Sequence, residues 1–354
     1  MKHTLFITGG AGYVGAMLGD QFARRDDVEK VILLDKEPET DLTLKHPNRD
    51  KIVYLHENTV DNWEDKVKNY HPDVVIHTAW QIRHMYGKED LEWKWNIDGS
   101  DKIFNFTFSH SSVKKIIYFS TVASYGSFAD NRMDYFYKES DPFRQTDYLY
   151  AEEKRFAEEH LEKKYKQAKE KGWHGQVFIL RPAAITGPRG RYERIRFGLQ
   201  SALSGQLQGG GVFRIIRLLT SFVPVTPKWL RQYIHEDDVT DIVSLLSFNN
   251  LDGKYEVFNI SPPGDVVLGK DMAQAVGKKT IPIYPWMARM AFFVFWHLTR
   301  GKVPTSPGSW KGYSYPIAVD GSKLTKQYNF NYSYESKEAF VKNEGRYKVV
   351  ISKE

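Results

Sequence analysis

Short apolar runs recur along the chain, each followed by a stretch with helical spacing. They occupy residues 4–8, 30–35, 51–55, 73–78, 115–120 and 176–181. Nearly every position within a run is apolar, which is the pattern of strands covered on both faces, not of strands with one wet side. Amphipathic stretches between them predict helices that cross from one strand to the next. The expected fold class is therefore α/β, a doubly wound parallel sheet. A later run, 255–260 (Tyr-Glu-Val-Phe-Asn-Ile), predicts one more strand. Beyond about residue 182 the rhythm breaks into Gly- and Pro-rich loops and short helices. That part predicts a smaller lobe laid over the carboxyl ends of the strands, where open α/β sheets bind ligands.

One stretch stands apart. Residues 286–298 (WMARMAFFVFWHL) are apolar around the whole helical circumference, interrupted only by Arg289 and His297. A spanning helix needs roughly twenty apolar residues, so this one is too short to cross a bilayer. Such a short run is expected as a core helix or a pocket wall. The flanking Arg300 and Lys302 leave an interfacial segment as the other reading.

Composition removes several function classes. The 354 residues are 41% apolar, ample for a core, with a net charge of +6. Basic residues alternate with acids, as in Glu152-Glu153-Lys154-Arg155, which marks a solvated helix face and not a nucleic-acid footprint. There is no cysteine, so disulfides, thiolate nucleophiles and Cys-based zinc sites are excluded. His3, His46, His56 and His71 have no metal-ligand spacing. The first strand begins within a few residues of Met1, and a cytoplasmic protein is the expectation.

The first strand runs into Thr8-Gly9-Gly10-Ala11-Gly12-Tyr13-Val14-Gly15 and then into a helical stretch. Glycines three apart in a strand–turn–helix context have a physical reading. Gly9 permits the tight turn, Gly12 lets the backbone approach a pyrophosphate, and Gly15 lets helix pack on strand. The helix N-terminus then offers free N–H groups to the phosphates. Asp35 ends the next strand, twenty residues after Gly15, where a carboxylate accepts the ribose hydroxyls of a dinucleotide. It would repel a 2′-phosphate, so NAD is favoured over NADP. Lys36 beside it softens that preference.

Tyr150-Ala151-Glu152-Glu153-Lys154 places a phenol and an ammonium four residues apart, on one helix face. A nearby cation favours the phenolate and makes tyrosine usable as a general acid/base. Tyr148, six residues before Lys154, is expected to point elsewhere. Ser120-Thr121-Val122-Ala123-Ser124-Tyr125-Gly126 ends the fifth strand with hydroxyls that can grip a reacting oxygen.

These segments resemble the extended short-chain dehydrogenases/reductases, the NAD-dependent epimerase/dehydratase type. Thr8 to Gly15 is similar to that family's TGxxGxxG. Asn58 falls where the family has an adenine-contacting Asp. His77-Thr78-Ala79-Trp80 resembles HxAA, and Asn96 to Ser100 resembles NxxGT. Ser120 to Gly126 resembles SSxxxYG, whose catalytic hydroxyl corresponds to Thr121. Tyr150 and Lys154 match the catalytic pair. Leu180-Arg181-Pro182 with Gly187-Pro188 resembles the loop beside the nicotinamide, and Arg231 matches an arginine that grips a diphosphate. The resemblance implies a Rossmann-like domain over residues 1–181, with strands added from about 231–260, and an interleaved substrate-binding lobe over 182–354. It implies NAD as cofactor, a small-molecule substrate, and a homodimer formed through helices near 90–110 and 146–170.

Departures narrow the chemistry. The family's 4,6-dehydratases carry an acidic pair directly after the catalytic threonine; Val122-Ala123 stand there and transfer no proton. UDP-sugar epimerases usually place an asparagine four residues after the strand-end arginine, where this chain has Ile185. The resemblance leaves two enzymes open: a sugar-nucleotide epimerase, favoured by Arg231 and the motif set and taken as the expectation, and a dehydrogenase of an apolar alcohol, favoured by the missing asparagine and the aromatic 286–298 segment. A non-catalytic dinucleotide-binding scaffold is the reading from another class. Arg189, Arg191, Arg194 and Arg196 are candidates for an anionic site or a solvated basic face. Asp237 and Asp238 are expected to cap the helix that follows.

Overall fold

In a computed structural model, residues 2–190, 222–275 and 277–348 are described. Arg191, Arg194 and Arg196 lie outside them. Six parallel strands appear near their predicted places: β1 (His3–Thr8), β2 (Val28–Asp35), β3 (Ile52–His56), β4 (Val74–His77), β5 (Lys115–Phe119) and β6 (Gln176–Pro182). Tyr255–Ile260 adds the seventh, parallel to β6. The order across the sheet is β3-β2-β1-β4-β5-β6 and then Tyr255–Ile260. The chain reverses its direction of travel between β1 and β4, and in such sheets that switch point is where a ligand crevice opens.

Both faces of the sheet are buried, as the unbroken apolar runs require. Along β1, Leu5 and Ile7 join one core while Phe6 joins the other. Leu33 and Leu34 divide in the same way on β2. The strand ends are nearly flush. Thr8 sits level with Leu34 and with His77, and His77 with Tyr118. The loops after β1, β2, β4, β5 and β6 therefore emerge side by side at one edge.

The C-terminal part is irregular, with short strand pairs such as Ala184–Thr186 with Tyr233–His235. It has its own small core, including Val223, Trp229, Tyr233 and Met272. Helix Glu236–Phe248 is capped by His235, whose Nδ1 accepts from Asp237 N at 3.2 Å. The expected aspartate caps are thus replaced. Asp238 instead accepts from Ser333 N and Asp237 from Arg346 N, tying in the C-terminal segment.

Candidate active site

The loops after the strand ends enclose a cleft of about 760 Å³. Its first wall is the glycine turn. Gly9 has φ +77°, and a Cβ there would stand 2.8 Å from Ala79 N, so a side chain is excluded twice over. A Cβ on Gly15 would stand 2.0 Å from Gly9 O, so the helix seats on the turn only because that position is bare. Gly12 is the N-cap of helix Tyr13–Ala23, and no side chain caps it. The end of the helix is left facing the cleft, which Gly12, Tyr13 and Val14 line.

Asp35 stands opposite. Its two oxygens accept from Ala11 N and Glu37 N, each at 3.0 Å, which fixes the carboxylate and leaves lone pairs for further donors. Burial raises its pKa. Asn58 lines the cleft next to it, its Oδ1 accepting from Val60 N at 3.3 Å. Thr78, Ala79 and Trp80 form the floor. His77, just before them, is a core residue. Its ring bonds Thr8 Oγ1 at 2.6 Å and Ser100 Oγ at 2.9 Å, and burial pushes it down to about 3, so it stays neutral.

The second half of the cleft carries the hydroxyls. Thr121 caps the short turn Val122–Tyr125, accepting from Ala123 N at 3.1 Å. The Tyr150 phenol hydrogen-bonds with the Thr121 side chain; burial raises its pKa and that bond lowers it. Lys154 reaches the same space from one turn on. Its ammonium donates to Phe119 O at 2.5 Å and lies 3.6 Å from the centre of the Trp80 ring. Desolvation holds its pKa well below the usual lysine value. The expected depression of the phenol pKa by Lys154 is not among the influences on Tyr150, because the ammonium is turned toward Phe119 and Trp80.

Around these groups lies machinery that sequence reasoning missed. Tyr148, expected to point away, lines the cleft with its ring 5.7 Å from that of Tyr150. It is the N-cap of helix Leu149–Glu170, so helical spacing does not govern its direction. Glu153 is fully buried beside Lys154, and Asn96 Nδ2 donates to it at 2.6 Å. Burial pushes Glu153 up to about 7. Asn96 also takes Gln81 N at 2.7 Å, so its amide clamps the loop after β4 to this helix. Asn96 sits on a π-helical turn, Lys94–Asp98, a local distortion often found at functional sites.

Opposite Tyr150, Arg231 lines the cleft beside Lys311 and Gly312. Its Nη1 donates to Leu230 O at 2.6 Å and Tyr315 O at 3.1 Å. Burial lowers its pKa to about 10, and only the phenols of Tyr233 and Tyr148 counter this. Among the described residues it forms no ion pair with a carboxylate. Arg181, by contrast, is locked in a buried pair with Glu158 and bonds Tyr125 at 2.6 Å, a structural role; its neighbour Pro182 lines the cleft.

The model of the NAD dependent epimerase/dehydratase family matches residues 5–261. The chain belongs to that family. Similar folds include the Bordetella bronchiseptica enzyme WbmG in complex with NAD (17% identity, 96% of this chain and 92% of that one, TM-score 0.67). The UDP-glucose 4-epimerase of Thermotoga maritima with UDP-glucose is similar at 19% identity, over 96% of both chains, TM-score 0.65. The dTDP-glucose 4,6-dehydratase of Bacillus anthracis with NAD follows at 13%, over 96% and 94%, TM-score 0.67. At these identities the likeness is one of fold. No curated protein matches the sequence.

The family's cofactor is NAD, and the cleft suits it. The bare Gly9–Gly12 turn and uncapped helix end suit a pyrophosphate, and Asp35 suits unphosphorylated ribose hydroxyls. Lys36, the residue that could have welcomed a 2′-phosphate, pairs with Glu37 at 2.7 Å and lies over the Trp95 ring at 4.6 Å. Arg189 is engaged with Tyr13 O at 3.4 Å. Helix Pro285–Thr299 contributes no residue to the cleft lining. The expectation of a pocket wall there is overturned, and only Ala288 and Trp296 in it are buried. Among the described residues no cluster suits a metal ion, and no helix is long and apolar enough to cross a membrane.

Proposed function

We propose that the protein is an epimerase-type oxidoreductase of a sugar nucleotide, acting at a secondary alcohol through Thr121, Tyr150 and Lys154. The observation that carries this reading is Arg231. A guanidinium with no carboxylate partner among the described residues, in the wall of the same cleft as Tyr150, calls for an anionic group on the ligand. A diphosphate meets that need and leaves the sugar free to reach across to Thr121. NAD, when bound, supplies the hydride acceptor.

The side chains divide the remaining work. Tyr150 takes the proton of the substrate hydroxyl as the carbon loses hydride, and returns it to the ketone oxygen on the reverse step. Thr121 holds that oxygen by a second hydrogen bond. Lys154, one helical turn away, supplies the positive charge that makes the phenol a workable base. The form that takes this proton is the phenolate; in the loaded cleft the Lys154 charge favours it, and the proton taken in the first step is the one returned in the second, so the cycle is balanced. Val122 and Ala123 border this space and offer no group for elimination, which counts against a dehydratase. The apolar-alcohol dehydrogenase loses its main support, because the aromatic segment 286–298 does not line the cleft.

The test is titration of the NAD-loaded protein with nucleoside diphosphates and their sugars. Wild-type protein binds them, and Arg231→Leu weakens binding by about 2 kcal/mol or more, roughly thirtyfold. Equal binding by both proteins, or none by either, overturns the reading.

A further inference from the structure

Helix Pro285–Thr299 is fastened to the protein by one stripe. Trp296 stacks on His84 with ring centres 5.2 Å apart, and Phe292 meets Tyr313 at 5.7 Å. The opposite stripe faces outward and is equally apolar. Trp286, Met290 and Phe293 recur at helical spacing, followed by His297 and the neighbouring Leu298, with Trp286 65%, Phe293 60% and Leu298 66% exposed. Phe222, Ile281 and Tyr284, from the strand pair before the helix, are exposed as well. Single exposed apolar residues need no explanation, but a contiguous aromatic patch does.

The charge around the patch indicates what covers it. Residues 272–319 contain six lysines and arginines and not one aspartate or glutamate; Lys311 among them pairs with Asp147 and lines the cleft, so Lys279, Arg300 and Lys302 carry the charge beside the patch. We propose that this face docks the protein on a membrane surface carrying anionic lipids. The helix lies in the interface, its aromatic side chains among the headgroups and acyl ends, with Lys279, Arg300 and Lys302 toward lipid phosphates. At fifteen residues it is shorter than the roughly twenty needed to span. A second copy of the chain is the poorer occupant, since pairing this face with itself opposes cations without an acid between residues 272 and 319 to balance them. The patch also adjoins the cleft. Tyr86 packs on Trp296 at 5.4 Å, and Ile82, exposed on the same loop, lines the cleft.

The full-length protein is sedimented with phosphatidylcholine vesicles, with and without phosphatidylglycerol. The expected result is binding that requires phosphatidylglycerol and is reversed by high salt. Phe293→Glu with Leu298→Glu abolishes it while leaving NAD binding and the thermal melt unchanged. Lys279→Gln with Lys302→Gln weakens it roughly thirtyfold. Failure to bind, or binding indifferent to both pairs of substitutions, overturns the proposal. So does a concentration-dependent dimer that the Phe293→Glu, Leu298→Glu pair converts to monomer, which assigns the face to a second copy.

Discussion

Two helices of this protein invert the usual rule of burial. Leu149–Glu170 is among the most charged segments of the chain, yet it buries Glu153, Lys154 and Glu158. Pro285–Thr299 is apolar but for Arg289, His297 and Thr299, yet it buries only Ala288 and Trp296. Charged side chains are almost never fully buried without a partner, and large apolar patches are seldom left in water. Each exception therefore marks a place where something beyond folding set the residues. In the first helix Glu158 is paired with Arg181, while Lys154 lines the cleft with Tyr150 and Glu153 is buried beside it. In the second the exposed rings look outward from a helix that packs, through Trp296, on the loop bordering that cleft. On the proposed function the first helix gives up stability for chemistry, and on the proposed membrane docking the second gives up solubility for a contact outside the molecule.

That contrast can be broken at several points. The largest effect belongs to the buried helix. Tyr150→Phe removes the proton-transferring group and should lower turnover by about 10²–10⁴-fold while NAD binding is retained; calorimetric titration alongside the assay separates the two. Comparable turnover in the variant would remove the chemical explanation for the buried charges.

Next in size is the difference between the two sides of the exposed helix. Trp296→Ala empties a packed position and should cost about 3 kcal/mol or more. Phe293→Ala should change stability by no more than roughly 0.5 kcal/mol. Urea unfolding of both variants checks this, and equal losses would mean the outer face is packed.

A smaller effect follows from Glu153. Its carboxyl is raised from 4.5 to about 7 by burial, so between those values the folded state holds a proton that the unfolded state has lost. Stability from this group therefore falls as pH rises through that window and levels off above it. Glu153→Gln keeps an acceptor for Asn96 and removes the dependence. Unfolding compared at about pH 5 and about pH 8 should favour the variant at the higher pH by on the order of 2 kcal/mol. A constant difference would show that Glu153 is ionised throughout.

Legibility in the sequence followed the range of the interactions. The glycine turn, Asp35 and the strands around them were readable because each depends on its neighbours in the chain: Gly9 on its positive φ, Gly15 on the carbonyl six residues before it. Tyr150 and Lys154 were readable from helical spacing joined to family resemblance. Tyr148 was misjudged because, as N-cap, it leaves the helical direction. Glu153 gave no signal, since the second acid in Glu152-Glu153 is held inside by a hydrogen bond from Asn96, 57 residues away in sequence. The cap at His235 was hidden behind two better-known capping residues, both drawn off by the C-terminal segment. The apolar helix was misjudged for a related reason: periodicity tells which residues share a face, and an all-apolar helix has no face to choose.

The most direct test of the central claim is the chemical content of the cleft. The purified protein is denatured and the released small molecules are identified by mass spectrometry, for wild type and Arg231→Leu. The expected result is NAD from both proteins, with a nucleoside diphosphate or its sugar from wild type alone. NAD absent from wild type, or a nucleoside diphosphate retained equally without Arg231, would contradict the account of this cleft.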